Sequence, residues 1–184
     1  MGQAKTRKKE IGALQISAEM HEAGHAVVAY FLGRLGSGGI QMLSPDDETL
    51  GSTAVAEQGE AVDTLAIALA GPMAELRSVA RSVGAACDLA LVKPTAELGW
   101  TDDAKAAAGV LGLKWGIDAM SSFCRAVRRG VADDLLLLES IDKASTLLAE
   151  RWPAVESVGQ TLRSVRVLTA DHIIELIAGA ADTR

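Results

Sequence analysis

The sequence predicts a mainly α-helical domain that carries a small β-hairpin near its N-terminal end. Hydrophobic residues make up 49% of the 184 residues but aromatic residues only 3%, so Ala, Leu, Val and Ile must form the core, a composition that favours helices over a β-sandwich. Apolar spacings of three and four recur along the chain. We expect one domain over residues 17–184, with its functional core at about 17–116 and C-terminal helices at about 117–180.

The first predicted helix runs from Ala18 to Leu32. Ser17 is a good N-cap residue before it, and Gly33 provides a stop after it. The segments "IQMLS" and "GSTAVAE" follow, on either side of the turn-forming "PDDET". We expect these two segments to pair as the strands of a hairpin.

A second helical pattern extends from Glu60 to about Val83. It is interrupted at Gly71-Pro72, where the proline must kink the helix or begin a new one. The segment "GAACDLALVKPTAELGW" is predicted mostly as loop. Further helices are expected from Thr101 or Asp102 to about Trp115, from Asp133 to Arg151, and after Pro153 in "AVESVGQTLRS" and "TADHIIELIAG", the last capped by Thr169.

Charge and hydropathy exclude several classes of function. The formal net charge is −6, and the basic stretch "KTRKKE" near the start is better interpreted as part of a disordered tail, residues 1–16, than as a nucleic-acid contact. The apolar runs fall short of the ~20 residues that a membrane helix needs, and the chain does not open on a signal peptide. We therefore expect a cytoplasmic protein with no nucleic-acid partner and no membrane span.

The pattern HExxH occurs as "HEAGH" inside the first predicted helix. Residues four apart lie on one helix face, so His21 and His25 can direct their imidazoles at a common centre. Glu22 is rotated by about 100° from His21, which lets its carboxylate reach a water molecule without ligating the metal. In zinc peptidases this glutamate is the general base, and the ion lowers the pKa of the water to near 7. Zinc ligation explains the pair better than two histidines satisfied in an apolar core.

A catalytic zinc site needs a third protein ligand and one open position. The elongated pattern HExxHxxGxxH is excluded, because Val28 and Phe31 stand where its glycine and third histidine would fall. His172 is expected in a surface or capping role. The third ligand must then be a carboxylate, and spacing leaves four candidates: Glu75, Asp88, Asp102 and Asp103.

Four blocks of sequence, in order, carry a resemblance to a known family. They are "HEAGHAVVAYFLG", "IQMLSPDDETLGST", "LAGPMAELR" and "GWTDDAKAAAGVLGLKWG". They resemble the zinc helix, the strand-turn-strand, the "GGRAAEE" helix and the "SNDxxxAT…WG" block of the FtsH-like zinc metalloproteases, whose peptidase domain is normally fused to an AAA+ unfoldase. The ending "AVESVGQTLRSVRVLTADHIIELI" is also similar, so the likeness covers most of Ser17 to Ile177.

The resemblance implies roles for the carboxylates. It makes Glu75 a glutamate that supports the zinc site, and it makes an aspartate of "TDD" the third ligand. Relatives use a slightly longer gap to "WG" than the 13 residues between Asp102 and Trp115, which favours Asp102 over Asp103. The predicted site thus has Glu22 as base and as metal ligands His21, His25 and Asp102, with Asp103 as the alternative.

These features predict a zinc-dependent endopeptidase acting on flexible peptides or unfolded proteins, which could add as a strand at the edge near Ile40 to Ser44. A non-catalytic regulatory or interaction module is the alternative, and hydrolysis of a non-peptide amide is a third. Glu22 argues against the module, since a structural zinc site needs four ligands and no base. The resemblance implies a separate AAA+ ATPase and a homo-oligomer as partners. Pro72 departs from the family's arginine, and no GxxxxGK[ST] loop occurs, so hydrolysis should not need ATP.

Overall fold

The fold is mainly helical with one small antiparallel sheet, as the composition predicts. A computed structural model describes residues 18–43, 51–83 and 100–181. The predicted tail at 1–16, the cap Ser17, the turn "PDDET" and Asp88 with its loop lie outside these residues. In chain order the elements are α1 (18–31), β1 (Leu35–Met42), β2 (Gly51–Val55), α2 (Ala61–Val83), α3 (Thr101–Val110), α4 (Ile117–Arg129), α5 (Leu135–Glu150), α6 (Trp152–Val165), β3 (Val167–Leu168) and α7 (Ala170–Ala181).

The first helix ends where the sequence predicts. Gly33 adopts a left-handed conformation with φ of 69°, which costs glycine nothing because it has no Cβ. The Arg34 N–H then donates to the Ala29 carbonyl oxygen at 2.7 Å. This bond satisfies one of the carbonyl groups that the end of a helix leaves without a partner.

The predicted pairing of the two short strands is confirmed, but the sheet has a third member. β1 pairs antiparallel with β2, with Ile40 opposite Thr53. On its other side β1 pairs with β3, and Ile40 lies opposite Leu168. The strand order is therefore β2-β1-β3. The edge of Ile40 and Gln41 that we expected to be open to a peptide is taken by β3, so that prediction is wrong for these two residues.

A glycine allows the third strand to approach. Gly39 has φ of 66°, and a Cβ at this position would overlap the Leu168 carbonyl oxygen. β3 has only two residues, too few for a periodic pattern to reveal in the sequence. Its pairing is fixed by the packing of α6 and α7, which β3 connects.

α2 is one continuous helix rather than two. Pro72 lies inside it and is fully buried. Proline removes one backbone hydrogen bond from a helix interior, but here the burial of residues on both faces of the helix outweighs that loss. Of the two alternatives left by the sequence, a new helix starting at Pro72 is therefore wrong.

The later helices agree with the sequence except around α3 and α4. Trp100, not Thr101 or Asp102, occupies the N-cap position of α3. The helix ends at Val110, earlier than the predicted Trp115, because Gly112 turns the chain with φ of 66°. Residues 117–129 were expected only as part of the C-terminal helices, and they form the separate helix α4.

Side-chain caps lie at the starts of two C-terminal helices, and the cap by Thr169 was predicted from the sequence. The Asp134 side chain accepts a hydrogen bond from the Leu137 N–H at 3.0 Å at the start of α5. The Thr169 hydroxyl oxygen accepts one from the His172 N–H at 3.3 Å at the start of α7. Such side-chain caps satisfy backbone donors that the first helical turn leaves open.

Two groups of buried residues form the core, and α2 contributes to both. One group combines α1, β1, α6 and α7 with one face of α2. The other combines the opposite face of α2 with Trp100, α3, α4 and most of the buried side chains of α5. α2 thus lies between the histidine helix α1 and the aspartate helix α3. Across the described ranges, none of the helices is both long and apolar enough to cross a membrane.

Candidate metal centre

α1 brings three polar side chains into an otherwise apolar surrounding. His21, Glu22 and His25 are 8%, 7% and 8% exposed, while their neighbours Ala23, Ala26 and Val27 are fully buried. Buried polar groups are costly unless they find partners. Each of the three side chains does find partners, and these come from β2, α2 and α3.

The imidazoles meet one carboxylate from α3. The Nε2 atoms of His21 and His25 lie 3.0 Å apart. Asp103 Oδ2 is 3.1 Å from His21 Nε2, and Asp103 Oδ1 is 3.2 Å from His25 Nε2. His21, His25 and Asp103 thus form a group whose ligand atoms all lie within 4.8 Å of one another.

The other ring nitrogens fix which atoms are left to bind a cation. His25 Nδ1 donates to the Ile67 carbonyl oxygen at 2.7 Å, and His21 Nδ1 lies 3.2 Å from Glu75 Oε2. A carbonyl and a carboxylate can only accept, so both Nδ1 atoms carry hydrogen. In their neutral forms the two imidazoles therefore point lone pairs from Nε2 at each other and at Asp103. Three acceptors converge, and they need a positive charge between them.

The pKa values of His21 and Asp103 also indicate that a positive charge is favourable between these side chains. Burial lowers the pKa of His21, but hydrogen bonds to Asp103 and Glu75 and the charges of Asp103 and Glu22 outweigh it and raise the pKa to about 10. Burial alone would raise the pKa of Asp103, whereas the charges of His25 and His21 and their hydrogen bonds hold it far below its ordinary value. A proton or a divalent cation held between these groups would supply the positive charge.

The distances are slightly shorter than those around a bound ion. Tetrahedral coordination with bonds of ~2.0–2.2 Å separates ligand atoms by about 3.3–3.6 Å. Here the two Nε2 atoms lie 3.0 Å apart, and the two Asp103 oxygens lie 3.1 and 3.2 Å from one Nε2 atom each, so small side-chain shifts would separate them enough to make space for an ion. Each histidine also has the second hydrogen bond at Nδ1 that orients metal-bound imidazoles in proteins. The residues of this group could therefore hold a metal ion.

The preference for Asp102 as the third ligand is corrected. The Asp102 side chain is 67% exposed and pairs with Lys105 Nζ at 3.1 Å, away from the histidines. α3 buries Ala104, Ala107 and Ala108, and Asp103 shares that face, whereas Asp102 lies on the outer face with Lys105. The sequence contained a signal for this arrangement, because the spacing of three residues between Asp102 and Lys105 is typical of an exposed pair on one helix face. The preference for Asp102 was based instead on its distance from "WG".

The other carboxylate and histidine predictions can also be placed. Glu75 lies on α2 beside His21 and outside the group of three, in agreement with a supporting rather than a ligating position. His172 is exposed at the start of α7, where its backbone is capped by Thr169. This is the surface and helix-end position expected for it.

Glu22 is held beside the group by β2. The Thr53 hydroxyl donates to Glu22 Oε2 at 2.7 Å and also lies 3.1 Å from the Glu22 carbonyl oxygen. Gly51 packs against the same side chain, since a Cβ at this position would lie 2.8 Å from Glu22 Cγ and 3.1 Å from Oε1. Sequence reasoning missed both contacts, because they depend on how β2 packs across α1.

Gly71 leaves room on α2 for the two imidazoles. A Cβ at this position would overlap His25 Nε2 and lie 2.8 Å from His21 Cδ2. Here glycine is required by space rather than by backbone conformation. In the sequence, Gly71 is recognisable only as part of the interruption before Pro72.

We expect Gly71→Ala to disrupt the metal centre. Its methyl group would displace the Nε2 atoms, so metal affinity should fall roughly tenfold or more. Gly109→Ala in α3 is the matched control, because a Cβ at Gly109 meets nothing within 4 Å and alanine favours helix. Isothermal titration with zinc, with circular dichroism to verify folding, compares the two variants. Equal zinc affinity in both would contradict the steric argument.

Comparisons with known proteins do not assign a family. No protein-family model matches the chain, and no match was found among curated proteins. The function of this chain must therefore be inferred from the geometry of the site and from the sequence blocks that resemble the FtsH-like proteases.

Proposed function

We propose that this chain is a zinc-dependent endopeptidase that hydrolyses peptide bonds in flexible or unfolded polypeptides. The observation that carries the proposal is the convergence of three acceptors, His21 Nε2, His25 Nε2 and an Asp103 oxygen, beside a buried carboxylate that is not one of them. Two histidines and one carboxylate are a common ligand set of catalytic zinc, and three protein ligands leave one position open. A closed structural site would leave Glu22 without a role.

Glu22 is suited to act as the general base. When bound, zinc lowers the pKa of a water molecule and polarises the substrate carbonyl. Glu22 Oε2 is occupied by the Thr53 hydroxyl, so Oε1 is the oxygen available to take the proton from water and return it to the leaving amine nitrogen. Glycine at position 51 keeps the space beside Oε1 open, since a Cβ there would lie 3.1 Å from that atom.

The substrate would lie along β2 rather than along β1. β3 takes one edge of β1, so β2 is an edge strand of the described sheet. An extended peptide can add to such an edge through backbone hydrogen bonds. β2 also carries Gly51 and Thr53, which contact Glu22, so a peptide paired with β2 would pass close to the base. The requirement for an extended strand favours unfolded substrates.

Metal content and hydrolysis test the proposal together. We expect the purified chain to hold one zinc ion, to cleave casein without ATP, to lose this activity with 1,10-phenanthroline and to regain it when zinc is restored. An AAA+ partner, which the resemblance to FtsH-like proteases implies, would then serve to deliver folded substrates. A chain that holds zinc and cleaves no unfolded protein would instead support the regulatory module, and a chain that binds no zinc would overturn the proposed zinc peptidase.

A further inference from the structure

We propose that Trp100 is a positioning residue of the metal centre, acting on His21 through Glu75; this inference rests on the proposed zinc site. The Trp100 indole Nε1 donates to Glu75 Oε2 at 2.9 Å. The same oxygen lies 3.2 Å from His21 Nδ1. A chain of two hydrogen bonds therefore runs from the indole to the back of a ligand imidazole.

Burial makes this chain of hydrogen bonds specific. Trp100 is fully buried and Glu75 is 9% exposed, so water competes little for these groups. A carboxylate whose oxygen accepts from two fixed donors has little freedom to rotate. The indole thus holds the Glu75 carboxylate in the orientation in which it accepts from His21 Nδ1 and leaves Nε2 directed at the ligand group.

The position of Trp100 in the chain joins two parts of the site. It occupies the N-cap position of α3, and its carbonyl oxygen accepts from the Ala104 N–H at 2.9 Å. Asp103 lies three residues further on. The start of α3 therefore reaches His21 twice, directly through Asp103 and indirectly through Trp100 and Glu75. Both contacts lie at the same end of α3.

Trp100→Phe removes the N–H while keeping a buried aromatic ring. Partners of metal-bound histidines contribute roughly 10–100-fold to metal affinity, and we expect a zinc affinity at least about tenfold weaker in competition with a chelator. Trp152→Phe is the matched control. Trp152 is 3% exposed and lies far along the chain in α6, and its Nε1 is buried without a hydrogen-bond partner among the described residues. This variant should keep its zinc affinity within about twofold, as it removes no bond to the site.

A double-mutant cycle tests the route through Glu75. If Trp100 acts through this carboxylate, adding Trp100→Phe to Glu75→Ala should weaken zinc binding no further than Glu75→Ala alone. The visible absorption spectrum of the cobalt-substituted chain gives a readout independent of hydrolysis. We expect it to change in Trp100→Phe and to stay unchanged in Trp152→Phe.

Equal zinc affinities of the two phenylalanine variants, or additive losses in the cycle, would overturn the role of Trp100. If Trp100→Phe does not fold, placing β-(3-benzothienyl)alanine at position 100 removes only the N–H, because sulfur replaces it in a ring of nearly the same size. Zinc affinity equal to that of the unmodified chain would then overturn the inference. Failure of the proposed function is distinguishable, because the unmodified chain would then bind no zinc, or bind it without hydrolysis.

Discussion

Glu22→Gln is expected to abolish peptide hydrolysis while leaving the zinc content unchanged. The amide keeps the shape of the side chain, and its oxygen can still accept from the Thr53 hydroxyl at Oε2. It cannot take a proton from water. General-base catalysis contributes about 10²–10⁴-fold to the rate. The rate of hydrolysis of a fluorogenic peptide or of casein should therefore fall at least about 100-fold.

A matched control lies on the same helix. Glu19 is as buried as Glu22, at 8% exposure, but its carboxylate faces Arg163, with Oε2 3.1 Å from Arg163 Nε. Glu19→Gln removes a charge from α1 without touching the metal group, and it should retain both zinc and hydrolysis. Comparable activity in Glu22→Gln and in the unmodified chain would refute the role of Glu22 as base.

Asp103→Ala should nearly eliminate zinc binding, whereas Asp102→Ala should leave it intact. Asp103 places one oxygen 3.1 Å from His21 Nε2 and the other 3.2 Å from His25 Nε2. Its loss leaves two protein ligands, which hold zinc poorly. We expect the affinity, measured by chelator competition, to fall by more than the roughly 100-fold that an outer partner can cost.

Asp102 provides the control for this prediction on the same turn of the same helix. Asp102 pairs with Lys105, and both side chains are more than half exposed. Exposed pairs of this kind contribute about 0–1 kcal/mol to stability, so the free energy of unfolding should change little. Zinc loss in Asp102→Ala with retention in Asp103→Ala would reverse our assignment of the third ligand.

Local signals in the sequence were sufficient to predict α1 and the residue at which it ends. The spacing of His21 and His25 follows from helix periodicity, and Gly33 ends the helix through its own backbone conformation. The caps Asp134 and Thr169 act on backbone groups of the next turn in the same way. Interactions within a few residues can be read from a sequence because the chain itself fixes their distance.

Contacts between residues that are far apart in the sequence could not be predicted in this way. β3 is a strand only because it lies beside β1, and α2 continues through Pro72 because its two faces are buried in different groups of core residues. Trp100 and Thr53 bond to Glu75 and Glu22 across 25 and 31 residues of sequence. Neither residue propensities nor sequence motifs predict such long-range contacts.

The sequence by itself determined that His21, Glu22 and His25 lie on one helix with the two imidazoles on a common face, because four residues make about one helical turn. Only the tertiary structure decided that Asp103 completes the group. That choice depends on how α3 is rotated against α2, and the rotation is set by burying Trp100, Ala104 and Ala107 in the core. Adjacent helix residues differ by about 100° in direction, so packing that buries this face turns Asp103 toward the histidines and Asp102 toward solvent.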